Sequence, residues 1–525
     1  MDSDKTFDYV LVGAGSAGCV LTGRLSEDPQ VRVLLLEAGG PDTAREIRIP
    51  AAFAKNFKTE RDWAYFTEPE PQLAGRRLYW PRGKVLGGSS SINAMIYIRG
   101  NSGDYDGWAA AGCAGWDWAS VLPFFMRSEA NARGASDYHG TAGPLHVEDL
   151  RCTHPLSEMY IAAAVARGYP RNPDFNGPRQ EGFGYYQVTQ KNGRRWSAAD
   201  AWLKPALGRP NLRVETGALA TRVLFDGRRA VGVEYLRHGQ LHTARAEREI
   251  ILCGGAVNSP QLLLLSGVGP ADELRALGLE VRHDLPGVGR NLQDHLLIVV
   301  GFSSKRPGTL DDADTLGNLL RWKLFRSGPL TSNIAEAGGF VRFRDSSWPD
   351  VQFLFGPVEY LEHGFVRRAG RGFGTAACVL RPRSRGRIRL RSADPTVPPV
   401  IEANYLAEPE DLALMVEGAR LGHELLLASV FDAYRGEYLQ PERPLRSDAE
   451  WAEFIRHKAE TNYHPVGTCR MGVDELAVVD PELRVRGLEG LRVVDASVMP
   501  AIPSGNTNAP TMMLAERAAE WLRAA

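Results

Sequence analysis

Two stretches of the chain carry residues whose types and spacing could do chemistry. The first is TNYHPVGTCRMG, residues 461–472, with one histidine, His464, five positions before Cys469. An imidazole there could ligate a metal, pack structurally or act as a base. Zinc sites draw four ligands from regular spacings, and His464 and Cys469 have no further ligands near them. His139, His146, Cys152 and His154 gather in YHGTAGPLHVEDLRCTHP, again without zinc spacing, so loop and core roles are expected of them. No metal is expected. A base is chemically apt, because imidazole titrates near neutral pH. A lone histidine beside proline is also a common packed residue, so this stretch leaves both readings open.

The second stretch is FDYVLVGAGSAGCVLTGRLSE, residues 7–27. Val10, Leu11 and Val12 read as a buried strand. Gly13, Gly15 and Gly18 follow as G-x-G-x-x-G, the spacing that gives a tight turn, close approach to a pyrophosphate and close helix packing. The helix that opens there offers amide donors to phosphate. A second apolar strand, VRVLLLEAG, ends at Glu37, nineteen residues past Gly18, where an acid can hold a ribose hydroxyl. A dinucleotide site follows; the motif alone does not separate FAD from NAD.

Elements must position these residues, and the pattern supplies several. GTAACVLRPRSRGRIRLRS alternates like paired strands, PEDLALMVEGARLGHELLLA has helical periodicity, and NAPTMMLAERAAEWLRAA reads as a carboxy-terminal helix with Pro510 in its first turn. The basic run RPRSRGRIRLR (381–391) reads as a strand with one charged face rather than a nucleic-acid patch. The 525 residues exceed one ordinary core, so two domains or one elaborated domain are expected. A formal net charge of −1 steers the chain toward no nucleic acid. Six scattered cysteines without a CxxC pair fit a reducing compartment. The first residues lack a basic segment followed by an apolar one, so no signal peptide is expected. No apolar run approaches the length of a membrane-spanning helix, which leaves peripheral attachment open.

Further motifs give the chain a family likeness. RGKVLGGSSSINAMIYIRG (82–100) and GGAVNSPQLLLLSGVGP (254–270) join GVGRNLQDH (287–295), VVDASVMP (493–500) and GNTNAPTMMLAERAA (505–519). With the glycine fingerprint and the His464 stretch, they resemble the glucose-methanol-choline (GMC) flavin oxidoreductases over essentially the whole chain. YWPRGKVLGGSSSINAMIYIRG, YYQVTQKNGRRWSAADAWL and LTSNIAEAGGF look most like bacterial FAD-dependent alcohol dehydrogenases of the alkanol, polyethylene glycol and choline dehydrogenase types.

That resemblance implies an α/β (α+β) fold: a Rossmann-like FAD-binding domain (1–155, 195–300 and 460–525) and a discontinuous substrate domain (156–194 and 301–459) of antiparallel sheet plus helices. It implies noncovalent FAD, since Ile92, at the position of covalent attachment in some members, has no nucleophilic atom. Gly13, Gly15, Ser16, Ala17, Gly18, Glu37 and Ala38 would hold the ADP half. Arg82, Gly83, Val85, Gly87, Gly88 and Ser89, with Asn93, Ala94, Met95 and Ile96, would run along the isoalloxazine. Val223 would meet the adenine by its backbone, Asp495 and Ala496 the pyrophosphate and ring. Asn508, Pro510 and Thr511 would bring a helix N-terminus to the flavin. His464 would be the catalytic base and Asn508 its partner; an amide cannot take the proton. Glu336 could face the substrate cavity, with a structural role as the alternative. His295 is expected to be structural or to support the site.

The implied reaction is oxidation of a primary alcohol to the aldehyde, with electrons passed to a quinone or another non-oxygen acceptor. Asn462, a polar group near the site, favours that over an alcohol oxidase releasing hydrogen peroxide. Non-redox relatives, a lyase or a photodecarboxylase, are the third class; Leu380 stands where the latter has its cysteine. The implied location is cytoplasmic, with peripheral attachment at the inner face of the cell membrane left open. The alcohol and the oligomeric state are not fixed by the sequence.

Overall fold

The strand Lys5–Val12 sits inside the molecule's first sheet because its Tyr9–Val12 end is apolar and buried and it is flanked by strands on both edges. In the computed structural model, which describes residues 5–524, it pairs in parallel with Val33–Glu37 on one side and Gln240–Leu252 on the other. Leu212–Thr216 extends the sheet in parallel beyond Val33–Glu37. Leu491–Val493 joins Gln240–Leu252 in parallel, while Arg229–Arg237 and Ala218–Asp226 fold back on it as an antiparallel meander. All five residues of Val33–Glu37 are buried, as expected of a strand covered on both faces. The helices Ser16–Leu25 and Asn508–Ala524 pack on this sheet.

Gly18 decides how closely the first helix approaches its own strand. A Cβ there would lie 1.9 Å from the Gly13 carbonyl oxygen. Gly13 itself has φ +101°, and a Cβ would meet the Cys253 carbonyl oxygen at 2.5 Å. The fingerprint glycines are thus places where backbone lies against backbone.

The second sheet is antiparallel, in the order Arg435–Gln440, Leu296–Ser304, Gly372–Val379, Val351–Gly356, Ala337–Val341, Gly182–Tyr185. Glu460–Thr461 adds to Leu296–Ser304. Ile298, Val300 and Phe302 share a core with Met415, Ala419 and Leu425 of the helix Pro409–Leu426, whereas Leu297 and Val299 look into a cavity on the other face. Period-two alternation makes one strand serve both.

The mixed α/β architecture is the expected one, with small differences. Residue 300 falls inside the strand Leu296–Ser304, and Glu460–Thr461 belongs to the second sheet. In the basic run a strand forms only at Arg387–Arg389, paired with Val400–Glu402. Before it, Asp411 accepts from the Arg383 and Ser384 amides and holds that segment as a loop. Gly18→Ala should lower stability by about 1–3 kcal/mol, as overpacking does, and reduce flavin content. Thermal unfolding and the visible-to-ultraviolet absorbance ratio of the purified protein check both.

Candidate active site

A cavity of about 540 Å³ runs between the two sheets, from the glycine fingerprint to His464. Its first half is cut for a dinucleotide. Gly15 caps the helix Ser16–Leu25 without any side-chain capping bond, which leaves first-turn amides for a phosphate. The second glycine segment lies directly on the first: a Cβ at Gly88 would come within 2.6 Å of Gly15 Cα. Glu37 is buried, accepts from the Ala14 and Gly39 amides at 2.8 Å, and lines the cavity with Ala38. Burial pushes its carboxyl up to about 7, against those two amides. Asp495 accepts from the Gly255 amide and the Ser259 hydroxyl, tying the 254–259 turn to the 495–497 turn.

Most residues expected around the cofactor line this cavity, among them Ser16, Ala17, Arg82, Gly83, Ser89, Ala94, Met95, Ile96, Ala496 and Thr511. Gly18, Val85, Gly87 and Pro510 lie behind its surface and shape it through the backbone. Val223 does not line the cavity. Its amide donates to Ser266 Oγ at 2.8 Å, and Ala218, Leu219 and Ala220, earlier on the same strand, line the cavity instead. Asn93 is fixed by Arg195, which sequence reasoning did not single out. The buried guanidinium donates to Asn93 Oδ1 at 2.7 Å and to its carbonyl at 2.6 Å.

At the other end stands His464, 8 % exposed. Asp294 clamps its loop, accepting from the His464 amide at 2.7 Å and the Thr461 hydroxyl at 2.6 Å. Arg82 donates to the Tyr463 carbonyl at 2.6 Å, holding Tyr463 at φ +68°, a conformation that costs energy for a bulky residue.

The imidazole lies in a hydrogen-bond chain whose direction is fixed at both ends. His295 Nε2 is 2.8 Å from the Leu380 carbonyl, which can only accept, so Nε2 carries the proton. His295 Nδ1 then accepts, and His464 Nδ1 donates to it at 3.0 Å. From the other side, Tyr186 OH donates to the Phe353 carbonyl at 2.5 Å and accepts from Gln352 Nε2. The same Gln352 amide donates to Asn506 Oδ1 at 3.2 Å, which turns Asn506 Nδ2 toward His464 Nε2, also at 3.2 Å. Both ends therefore leave His464 Nε2 unprotonated, its lone pair on the Asn506 amide, and both residues line the cavity.

This geometry corrects the expected partner. Asn506, not Asn508, meets His464. Asn508 opens the carboxy-terminal helix, and its Oδ1 accepts from Ser16 Oγ at 2.7 Å, joining that helix to the fingerprint helix. Glu336 takes the structural one of its two expected roles. It is 1 % exposed and does not line the cavity; it accepts from the Ser332 and Ser157 hydroxyls and the His154 amide. Asn462 does line the cavity, with its amide on Cys378 Sγ. Cys469 is fully buried. His139 bridges Glu129 and Asp174 at 2.9 and 2.8 Å, a buried ionic role.

A glycine-lined dinucleotide cavity ending at a neutral, oriented histidine defines a nucleotide-dependent oxidoreductase site. The amino- and carboxy-terminal family models of the GMC oxidoreductases match residues 7–297 and 382–515, and the chain belongs to this family, whose cofactor is FAD. It is 47 % identical to mitochondrial choline dehydrogenase of Homo sapiens, with 99 % of this chain and 90 % of that protein covered. It is 48 % identical to alcohol dehydrogenase [acceptor] of Pseudomonas putida, covering 98 % and 95 %. Among solved structures, pyridoxine 4-oxidase from Mesorbium loti superposes with a TM-score of 0.91 at 34 % identity, 99 % of each chain being covered.

Burial, then the neighbouring His295 and Arg82, hold His464 well below the ordinary histidine value of 6.5. Burial also pushes His295 down to about 4. Protonation of His464 thus begins only at lower pH than for a free imidazole. The acidic limb of kcat/KM should show no half-loss at pH 6.5, and a limb centred there would contradict this. Stability shifts the same way: a folded-state value below the unfolded one makes a contribution present above about 6.5, lost as pH falls toward about 4 for His295. His295→Ala should remove the acceptor that fixes the tautomer and lower kcat about a hundredfold, with bound flavin retained. Its pH profile should shift as well, which a purely packing role would not cause.

Proposed function

We propose that the enzyme oxidises a primary alcohol with an apolar substituent to the aldehyde and hands the electrons to a quinone or another non-oxygen acceptor. The observation that carries this reading is His464 Nε2, left as an acceptor by bonds anchored at two backbone carbonyls and lying against Asn506 in the cavity lining. An alcohol that takes the place of Asn506 on His464 Nε2 can donate its hydroxyl there and accept from the released Asn506 Nδ2 in return. Proton removal then leaves an alkoxide beside an amide donor, and alignment by two fixed groups lowers the entropic part of the barrier. Bound in the cavity, the flavin supplies the two-electron acceptor for the hydride from the carbinol carbon. Ile92, which is buried and offers no nucleophile, supports noncovalent binding.

Leu297, Val299, Leu354 and Ala376 form one wall near His464 and suit an aliphatic or aromatic substituent. The names of the relatives invite a second reading, an amino alcohol such as choline. Phe53, Phe57, Tyr360 and Tyr463 also line the cavity and could meet a cation. Two carboxylates line it near them: Glu460, which burial pushes up to about 7, a weak counter-ion at neutral pH, and Glu359, whose oxygens are taken by the Arg368, Ala369 and Gly370 amides. The apolar alcohol is therefore preferred.

The test is anaerobic mixing with hexanol, benzyl alcohol and choline, followed by re-oxidation with air or quinone. Hexanol should bleach the flavin, quinone should restore it faster than air, and choline should be the poorer substrate by kcat/KM. Peroxide release at the dye-reduction rate would instead make the enzyme an oxidase. His464→Ala should slow flavin reduction about 10²–10⁴-fold, the usual worth of a general base, while FAD stays bound. Near-wild-type reduction by that variant would remove His464 from the mechanism.

A further inference from the structure

The helix Leu316–Phe325 has its apolar residues on the wrong side for a core. Leu316, Leu320 and Leu324 recur every four residues, share one face, and are 73 %, 48 % and 67 % exposed; Phe325 at the end is 71 % exposed. The opposite face is satisfied: Trp322 and Leu319 pack on Ile49, Ala52 and Leu330. Elsewhere the exposed large apolar side chains are mostly scattered, so this continuous stripe stands apart.

Unpaired positive charge flanks the carboxy-terminal half of the stripe. Leu324 and Phe325 share the rim of a surface hollow with Arg48, Arg151, Lys191, Arg194 and Arg326. Arg321 and Lys323 project from the helix itself. Among the described residues none of these seven cations lies within ion-pair distance of a carboxylate. Their hydrogen-bond and ring contacts are neutral: Arg321 donates to Ser327 Oγ, Arg151 to the Arg326 carbonyl, and Lys191 and Arg326 lie over the Trp196 and Trp322 rings. Two acids in the hollow, Asp42 and Asp200, are both taken by Lys204. A chain of net charge −1 thus concentrates free cations beside its exposed leucine stripe.

We propose that this face docks on an anionic bilayer surface, with the leucine stripe and Phe325 entering the apolar boundary and the flanking cations meeting lipid headgroups. No helix among the described residues is long and apolar enough to cross a membrane, so attachment by this route is peripheral. An amphipathic helix with leucine and phenylalanine on one side and basic residues at its flanks has the composition of an interfacial element. A second copy fits less well. A two-fold contact would set the same cations of both copies against one another. The proposal is independent of the alcohol chemistry.

The experiment is flotation of the purified holoenzyme with vesicles of phosphatidylcholine alone or mixed with phosphatidylglycerol, at low and high salt. Binding to the mixed vesicles and its loss at high salt are expected, with little binding to phosphatidylcholine. Removing two cations in Arg321→Gln/Lys323→Gln should weaken partitioning on the order of twentyfold, at about fivefold per basic residue. Leu320→Gln/Leu324→Gln should abolish flotation. Both variants should keep wild-type turnover of hexanol with a dye, which shows that they fold. Equal binding to both vesicle types, or wild-type flotation by either variant, overturns the proposal. So does a dimer in size-exclusion chromatography that the leucine variant dissolves, with no flotation by the wild type.

Discussion

The site depends on one hydrogen bond between two neutral imidazoles. His464 and His295 come from stretches 169 residues apart, yet their Nδ1 atoms lie 3.0 Å apart. Neither ring could be read alone, since each nitrogen could donate or accept. The carbonyls of Leu380 and Phe353 remove that freedom, because a carbonyl only accepts. Both follow from the second sheet, one just past the strand Gly372–Val379 and one within Val351–Gly356. The first sheet's carboxy-terminal continuation brings Asn506. The proposed base is thus oriented only where the two halves of the molecule meet, and Asp294 holds its loop by binding both Thr461 and the His464 amide.

The cofactor end follows a different constraint, close backbone approach. Gly13, Gly18 and Gly88 stand where a Cβ would strike another backbone atom. Fingerprint loop and second glycine loop can therefore lie in contact, and the amide donors of the first helix remain open to phosphate. Polar side chains then lock what the glycines permit: Arg195 fixes Asn93, and Asn508 fixes Ser16. These bonds stiffen the walls of the cavity, so that ligand and base meet in one geometry rather than many.

Between the two ends, strand alternation sets specificity. One side of Leu296–Ser304 feeds the core beneath the helix Pro409–Leu426, and the other supplies the apolar wall beside His464. A substitution at Leu297 or Val299 would change the substrate space, whereas one at Ile298 or Val300 would change stability. The same economy fails on the helix Leu316–Phe325, where only one face has a core to meet.

The sequence by itself determined the parts governed by short-range sterics. The strand–turn–helix around Gly13, Gly15 and Gly18, the acid at Glu37, the helices Pro409–Leu426 and Asn508–Ala524, and the chemical aptness of His464 were all legible, because spacing and residue type dictate them locally. Only the tertiary structure decided which side chains meet. Asn506 and Asn508 are two residues apart and chemically identical. The first lies in the segment just before the carboxy-terminal helix and meets His464, and the second begins that helix and faces Ser16. Glu336 has the right charge for a substrate contact, but two serines and an amide enclose it. Ala218–Ala220 line the cavity, whereas the Val223 amide is held by Ser266 behind it. The exposed face of Leu316–Phe325 has the same helical period as a buried one; what covers a periodic apolar face is a property of its neighbours, and no local pattern contains it.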